Sequence, residues 1–322
     1  MALMPRSLAG SPLLLLTLVG GHAMAQEAGK WLDRMNRAVD ELNYRGTFVH
    51  VIDSTPETLN IVHRNVAGSS GERILSVDGP RREIVREDDQ VRWILPDQKL
   101  VLLETRKDVS PLVSALPSYS ADLEPHYEIN LRATARIANR SAQMIEIKPR
   151  DEFRYGYVLW LDQETAMPLK SQLMDERGHI VEQIWFTEIK LAGDIAAADL
   201  EPTINTDGFS TMRPPSESAP LVAANVPWRA SAVPGGFKLS AATQSPMPGS
   251  KYPVGHLVYS DGLATVSVFI EDPKAKAEVN DGFSKVGSTN TFSLTLRGRK
   301  VTAVGEVPRQ TVRTIASSLV AE

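Results

Sequence analysis

The chain of 322 residues contains no cysteine. That excludes a disulfide framework, a thiol nucleophile and thiolate metal sites. Beyond the N-terminal segment no stretch approaches 18 consecutive apolar residues, so no membrane-spanning helix is expected. The formal net charge is −4, which gives no reason to expect nucleic-acid binding. The signatures of hydrolytic, nucleotide-binding and zinc chemistry are missing too: no G-x-S-x-G, P-loop, G-x-G-x-x-G or H-E-x-x-H occurs. His50, His63, His126, His179 and His256 are scattered, none three or four residues from another, so no metal ligand set is legible. Aromatic residues are scarce at 6%, which makes any cluster of them informative.

What is present suits a globular protein of about two domains, with 42% hydrophobic and 23% charged residues. The start reads as a secretory leader. Arg6 precedes a short apolar run from Pro12 to Val19, and Ala23-Met24-Ala25 is a small-x-small signal before Gln26. Cleavage after Ala25 is expected, and with it export to a bacterial periplasm. No cysteine follows to take a lipid. Losing Arg6 with the leader leaves 34 basic against 39 acidic residues, a net charge of −5.

Trp31, Leu32, Met35, Ala38, Val39 and Leu42 form one stripe of period 3.6, so a helix is expected over 27–44. The period then becomes two. Strands are expected at 47–52, 58–64, 72–77, 82–86, 91–95 and 99–104, an antiparallel meander that curls or closes to bury one face. Residues 108–126, interrupted by Pro111, Pro117 and Pro125, read as a plug with a short helix around Leu112–Leu116. Strands resume at 127–133, 135–137, 143–149, 153–161, 169–174 and 180–189. Asp78, Asp162, Asp175 and Asp261 all fall in turn contexts, where Asp bonds its own backbone. Residues 206–227, with four prolines and no apolar period, read as a linker. A smaller α+β unit then holds strands at 254–260, 264–270, 291–297 and 300–306 and a helix after Pro308; 271–288 reads as a loop. The expected boundaries are 1–25 leader, 26–205 N-terminal domain, 206–227 linker and 228–322 C-terminal domain.

The aromatic cluster is FRYGYVLWLD, residues 153–162. Tyr155, Tyr157, Leu159 and Leu161 share one face of an extended strand; Arg154, Gly156, Val158 and Trp160 share the other. Both faces are largely apolar, so both are covered. One covering is the core; the other is either more core or the wall of an acyl cavity. Gly156 leaves room for a ligand or another backbone to approach.

Several segments together carry a resemblance. Asp78 to Arg86 (DGPRREIVR), Arg150 to Tyr157 (RDEFRYGY), Leu169-Lys170-Ser171, Tyr259 to Leu263 (YSDGL), Val266 to Ile270 (VSVFI) and Val304 to Pro308 (VGEVP) occur in order along nearly the whole mature chain. The chain resembles the RseB/MucB family of sigma-E regulatory proteins. The resemblance implies an α+β fold: a curved, unclosed antiparallel sheet of the LolA/LolB kind with plugging helices, followed by a smaller α+β domain. It implies a periplasmic protein that binds the periplasmic part of a membrane anti-sigma factor (RseA or MucA) and shields it from the site-1 protease DegS. Lipopolysaccharide or a lipid fragment would release it. No enzyme activity, cofactor, metal or nucleic-acid partner is implied, and a homodimer is left open.

On that reading Phe48, Trp93, Leu112, Leu116, Tyr155, Tyr157 and Trp185 are candidate lipid-lining residues, each equally suited to core packing. Arg81, Arg82 and Arg154 are candidates for an anionic headgroup, since the guanidinium fork fits phosphate and carboxylate. Tyr259, Phe269 and Arg299 are candidates for the partner. The rival readings are a lipid or lipoprotein carrier, which would have no need of a second domain, and a hydrolase with a shallow site.

Overall fold

The computed structural model describes residues 19–105, 116–117, 123–191, 193–213, 226–246, 252–273 and 280–321. Leu112 and most of the expected plug lie outside them.

Helix α1 (Val19–Glu41) precedes β1 (Tyr44–Ile52), β2 (Thr55–Val66), β3 (Ser69–Ser76), β4 (Glu83–Glu87), β5 (Gln90–Leu95) and β6 (Leu100–Thr105). After the plug come β7 (Tyr127–Ile137), β8 (Arg140–Pro149), β9 (Gly156–Asp162), β10 (Pro168–Met174), β11 (Ile180–Leu191) and the short β12 (Ser210–Met212). These strands form one sheet in the order β12-β6-β5-β4-β3-β2-β1-β11-β10-β9-β8-β7. All neighbours are antiparallel except β12, which runs parallel to β6. β7 comes within 8 Å of β11, Cα to Cα, although three strands separate them in the ladder. Flat strands four spacings apart would be about 19 Å away. The sheet is therefore rolled but unclosed, the half-barrel that the family resemblance implies.

Register assigns the two faces. Ile145, Leu159, Ser171, Ile184 and His50 lie in one cross-strand row. Phe48, Phe186, Leu59, Ile61 and Tyr157 share that concave side, because paired residues and residues two apart point the same way. Phe48, Leu59, Ile61, Ile74, Ile84 and Phe186 form the main core there. Leu32 and Met35 of α1 pack against Ile129, Ile145, Leu159 and Leu161. The helix thus uses the apolar stripe read from the sequence, though it starts inside the expected leader and stops where Tyr44 turns into β1.

The smaller unit contains β13 (Trp228–Ala230), β14 (Lys238–Pro246), β15 (Pro253–Ser260), β16 (Thr265–Ile270), β17 (Gly282–Val286), β18 (Thr289–Leu296), β19 (Arg299–Gly305), α2 (Arg309–Ser317) and β20 (Leu319–Ala321). The sheet order is β14-β15-β16-β19-β18-β17, with β13 paired to β20. Val312, Ile315 and Ala316 of α2 pack on Leu257, Val266, Val268, Val301 and Ala303.

Three expectations are corrected. Residues 282–286 are the edge strand β17, not loop; all but Phe283 are exposed, and the segment carries no apolar period. The expected linker is not free throughout: Ser210–Met212 completes the edge of the large sheet. The chain just before it is pinned by Glu83, whose fully buried carboxylate accepts the amides of Thr203 and Ile204 at 2.9 Å and the Thr203 hydroxyl at 3.0 Å. The strand expected from Phe153 begins only at Gly156. A side chain there would meet the Ile147 carbonyl at 2.8 Å and Pro149 Cδ at 2.9 Å, so the space the glycine leaves is filled by backbone. Gly156→Ala should cost about 1–3 kcal/mol by overpacking, read as a lower urea midpoint with unchanged slope.

Candidate functional site

The most densely built polar region of the molecule is the seam where the small domain meets one end of the half-barrel. It starts from the loop between β8 and β9. Asp151 Oδ1 accepts the Phe153 amide at 3.0 Å, a local turn that throws Arg154 away from the sheet. Arg154 has no exposed surface. Its Nε donates to Asp151 Oδ1 at 3.0 Å, one terminal nitrogen to Asp261 Oδ2 at 2.6 Å and the other to the Gly235 carbonyl. Its Cζ lies 5.4 Å from the Tyr127 ring centre and 5.3 Å from that of Phe237, within cation–π range.

Asp261 is built to receive it. The hairpin turn between β15 and β16 places the Leu263 and Ala264 amides on Oδ1 at 2.9 and 2.7 Å. Oδ2 then takes Arg154 and the Tyr127 hydroxyl, the latter at 3.0 Å. Gly235 presents its carbonyl because Gly236 adopts φ +87° against the His126 ring, a conformation a side chain would strain. From α2, Gln310 Nε2 donates to the Glu152 carbonyl at 2.5 Å and Thr311 Oγ1 to the Phe153 carbonyl at 2.7 Å. Three elements of the small domain therefore grip one short loop of the large one.

Farther along, Asn290 donates to the Tyr155 hydroxyl at 2.9 Å and to the Val307 carbonyl at 2.8 Å. At the concave face His50 Nε2 lies 2.7 Å from Glu182 Oε1. Ser288 Oγ lies 2.8 Å from Glu182 Oε2 and also bonds Glu306 Oε1. Burial raises the Glu306 carboxyl. Burial also pushes Glu182 up, but bonds from His50 and Ser288 outweigh it and hold the group below its ordinary value. Burial raises the phenols of Tyr127 and Tyr157, and pushes Tyr155 up to about 12.

The seam does not close completely. It leaves a cavity of about 210 Å³ lined by Leu116, Tyr127, Tyr155, Tyr157, Leu263, Ala264, Thr265 and Glu306. Three tyrosines and one carboxyl line it, and among the described residues no cation does. Among the described residues no group of three metal-ligating side chains occurs.

The candidates drawn from the sequence are scattered by this geometry. Phe48 is fully buried, packed on Phe186 with ring centres 5.7 Å apart. Trp93 lies in the concave row Ile61–Ile74–Ile84–Trp93, half-buried, its indole N–H without a partner among the described residues. Leu116 and Tyr157 line the seam cavity; Tyr155 lines it too, but as a contact to Asn290. Trp185 is on the opposite, convex face, in register with Lys170, which sits over the Trp160 ring at 4.6 Å. Of the three arginines, Arg81 is exposed and Arg82 pairs with Glu57 at 2.5 Å. Arg154, expected at an anionic headgroup, is instead committed to Asp261, because burial permits that charge only with a partner.

In the small domain, Tyr259 is buried and its hydroxyl accepts the Ala230 amide at 2.7 Å. Phe269 stacks on His256 at 4.5 Å, and Arg299 reaches the Glu271 carbonyl at 3.4 Å. All three lie on interior strands, whereas the edges are β14 and β17. Missed in the sequence were Tyr127, Glu182, Asp261, Ser288, Asn290 and Glu306. The one available signal was that 150–157, 259–263 and 304–308, three segments of the resemblance, converge here.

The MucB/RseB N-terminal domain family matches residues 27–204 and the MucB/RseB C-terminal domain family residues 222–320. The sigma factor AlgU regulatory protein MucB of Pseudomonas aeruginosa is 35% identical over 319 residues, covering 95% of both chains. The structure of the Pseudomonas aeruginosa MucA/MucB complex superposes with a TM-score of 0.71 at 32% identity, covering 92% of this chain and 99% of that one. A crystal structure of MucB superposes with a TM-score of 0.59 at 29% identity, over 92% and 98%.

Asp261→Ala strands a buried guanidinium, and should cost about 3–5 kcal/mol. Tyr127→Phe, which leaves the ion pair in place, should cost only about 1 kcal/mol. Urea unfolding followed by tryptophan fluorescence would rank the two.

Proposed function

The chain belongs to the MucB/RseB family, and from that premise we propose that it is a periplasmic negative regulator of an envelope-stress sigma factor. It binds the periplasmic domain of a membrane anti-sigma factor of the RseA/MucA kind and occludes the region a site-1 protease must reach. Lipopolysaccharide or a related lipid releases it. It works by binding, without catalysis. The observation that carries this is the match to MucB through both domains. The higher TM-score against MucB in complex with MucA than against the other MucB structure, 0.71 against 0.59, supports reading the arrangement of domains described above as the one that holds the partner.

The physical mechanism is a shift of populations. A lipid displaces the partner only to the extent that it binds the partner-free arrangement more tightly. A change from 1:99 to 99:1 needs about 10⁴-fold preference. The seam suits such a switch because it rests on a few strong polar contacts rather than on a continuous apolar core. The concave face, with Phe48, Trp93, Leu116 and Tyr157, is where an acyl chain would enter, and Arg81 and Arg82 lie outside it for an anionic headgroup. A lipoprotein carrier is the second reading. The small domain, whose three elements grip the carrier-like half-barrel, favours the regulator.

Two experiments test this. The purified mature protein should capture the periplasmic domain of an RseA/MucA-type anti-sigma factor and protect it from site-1 cleavage; folded protein that neither binds nor protects would end the reading. Tyr157→Asp should leave capture intact and weaken release by lipopolysaccharide at least about tenfold, since a buried charge would oppose an acyl chain there. Unchanged release from the folded variant would exclude the concave mouth as the lipid site.

A further inference from the structure

The end of the seam at the concave face carries more acid than its hydrogen bonds can use. Ser288 has one hydroxyl proton. It lies within bonding distance of two carboxylates, Glu182 of the large domain and Glu306 of the small one. If Ser288 donates to Glu182, its bond with Glu306 needs a proton from the carboxyl. Two ionised carboxylates sharing one buried hydroxyl would repel, although Glu306 keeps an exposed edge. The geometry points to a proton-gated contact: a proton held between Glu306 and Ser288 lets the small domain close on Glu182, and its loss drives that end of the seam apart.

The surroundings place the proton on Glu306. From β1, His50 touches Glu182 at 2.7 Å and supplies a donor to that carboxylate. From the start of β9, Tyr155 and Tyr157 face Glu306 across the cavity, and from β7 so does Tyr127; all are phenols raised above their usual range and neutral. The neighbouring charged pair, Lys285 and Asp53, are 4.0 Å from each other. The groups acting on Glu306 are Ser288, Glu182 and His50, and no lysine or arginine is among them. Glu306 is accordingly raised, by burial first, and Glu182 is lowered.

The direction with pH follows. A carboxyl raised in the closed state stabilises closure at low pH, and that contribution is lost as pH rises through its closed-state value. Glu182 acts oppositely: its contribution is lost as pH falls through its lowered value. Closure is therefore favoured in a mildly acidic window between the two. This inference does not depend on which partner the protein takes.

The absence of native cysteine makes a clean test available on the full mature chain. Nitroxides on Thr55→Cys and Val286→Cys, both exposed and on opposite sides of the seam, report its width by pulsed electron resonance. The expected result is a short-distance population at pH 5 that is lost by pH 9. Glu306→Gln, which keeps a donor and cannot ionise, should retain the short distance at both values. Glu182→Gln, which removes the repelling charge, should abolish the step as well. A distribution independent of pH in the otherwise native chain would overturn the inference. So would a step that survives either substitution, and the second variant serves if the first fails to fold.

Discussion

The strongest constraint on the relation between the two domains is one buried cation. Arg154 has no contact with solvent, and an unpaired guanidinium there would cost several kcal/mol. Its partners are held by separate devices: Asp261 by a turn in the small domain, Gly235 by a left-handed neighbour, Asp151 by its own loop. Rotating the domains would break the contacts to Asp261 and Gly235 and leave Arg154 with Asp151 alone. A pair of this kind adds little net stability compared with apolar packing, but it specifies one arrangement over others.

That specificity gives the half-barrel its second role. Alone, a rolled sheet with a helix packed on it presents a concave apolar face. The small domain converts it into a container whose mouth is occupied by a partner domain. The two tyrosines read as candidate cavity lining stand in that mouth with a third, Tyr127: Tyr127 and Tyr155 hydrogen-bond across the seam, and Tyr157 faces the remaining space. The concave core behind them, around Phe48 and Phe186, is closed. On the proposed function, an acyl chain would have to displace that packing or come by way of the seam, in competition with the domain arrangement.

Much of this was legible beforehand. The stripe in α1 and the period-two segments specify their buried faces because burial is periodic in those geometries. Three of the four aspartates read as turn residues bond their own turns: Asp162 accepts the Thr165 amide, Asp175 those of Arg177 and His179, and Asp261 those of Leu263 and Ala264; Asp78 instead accepts the amide of Thr58, 20 residues away on β2. Illegible was that Asp162 and Asp261 also hold Arg140 and Arg154, 22 and 107 residues away. Local turn chemistry is written in neighbouring residues; a long-range pair is not. Strand alternation likewise placed Tyr157 with Leu159 and Leu161 but could not place Trp185 on the opposite face, because that depends on register between strands. The edge strands β14 and β17 escaped notice because edges carry few apolar residues.

The central claim is that the Arg154–Asp261 contact couples the domains. A double-mutant cycle with Arg154→Met and Asp261→Ala measures that coupling directly, by comparing the unfolding free energies of both single variants and the double. The account expects a coupling of at least about 1.5 kcal/mol, with the double variant less impaired than the two singles sum to. Additive single effects, with no coupling outside error, would contradict it.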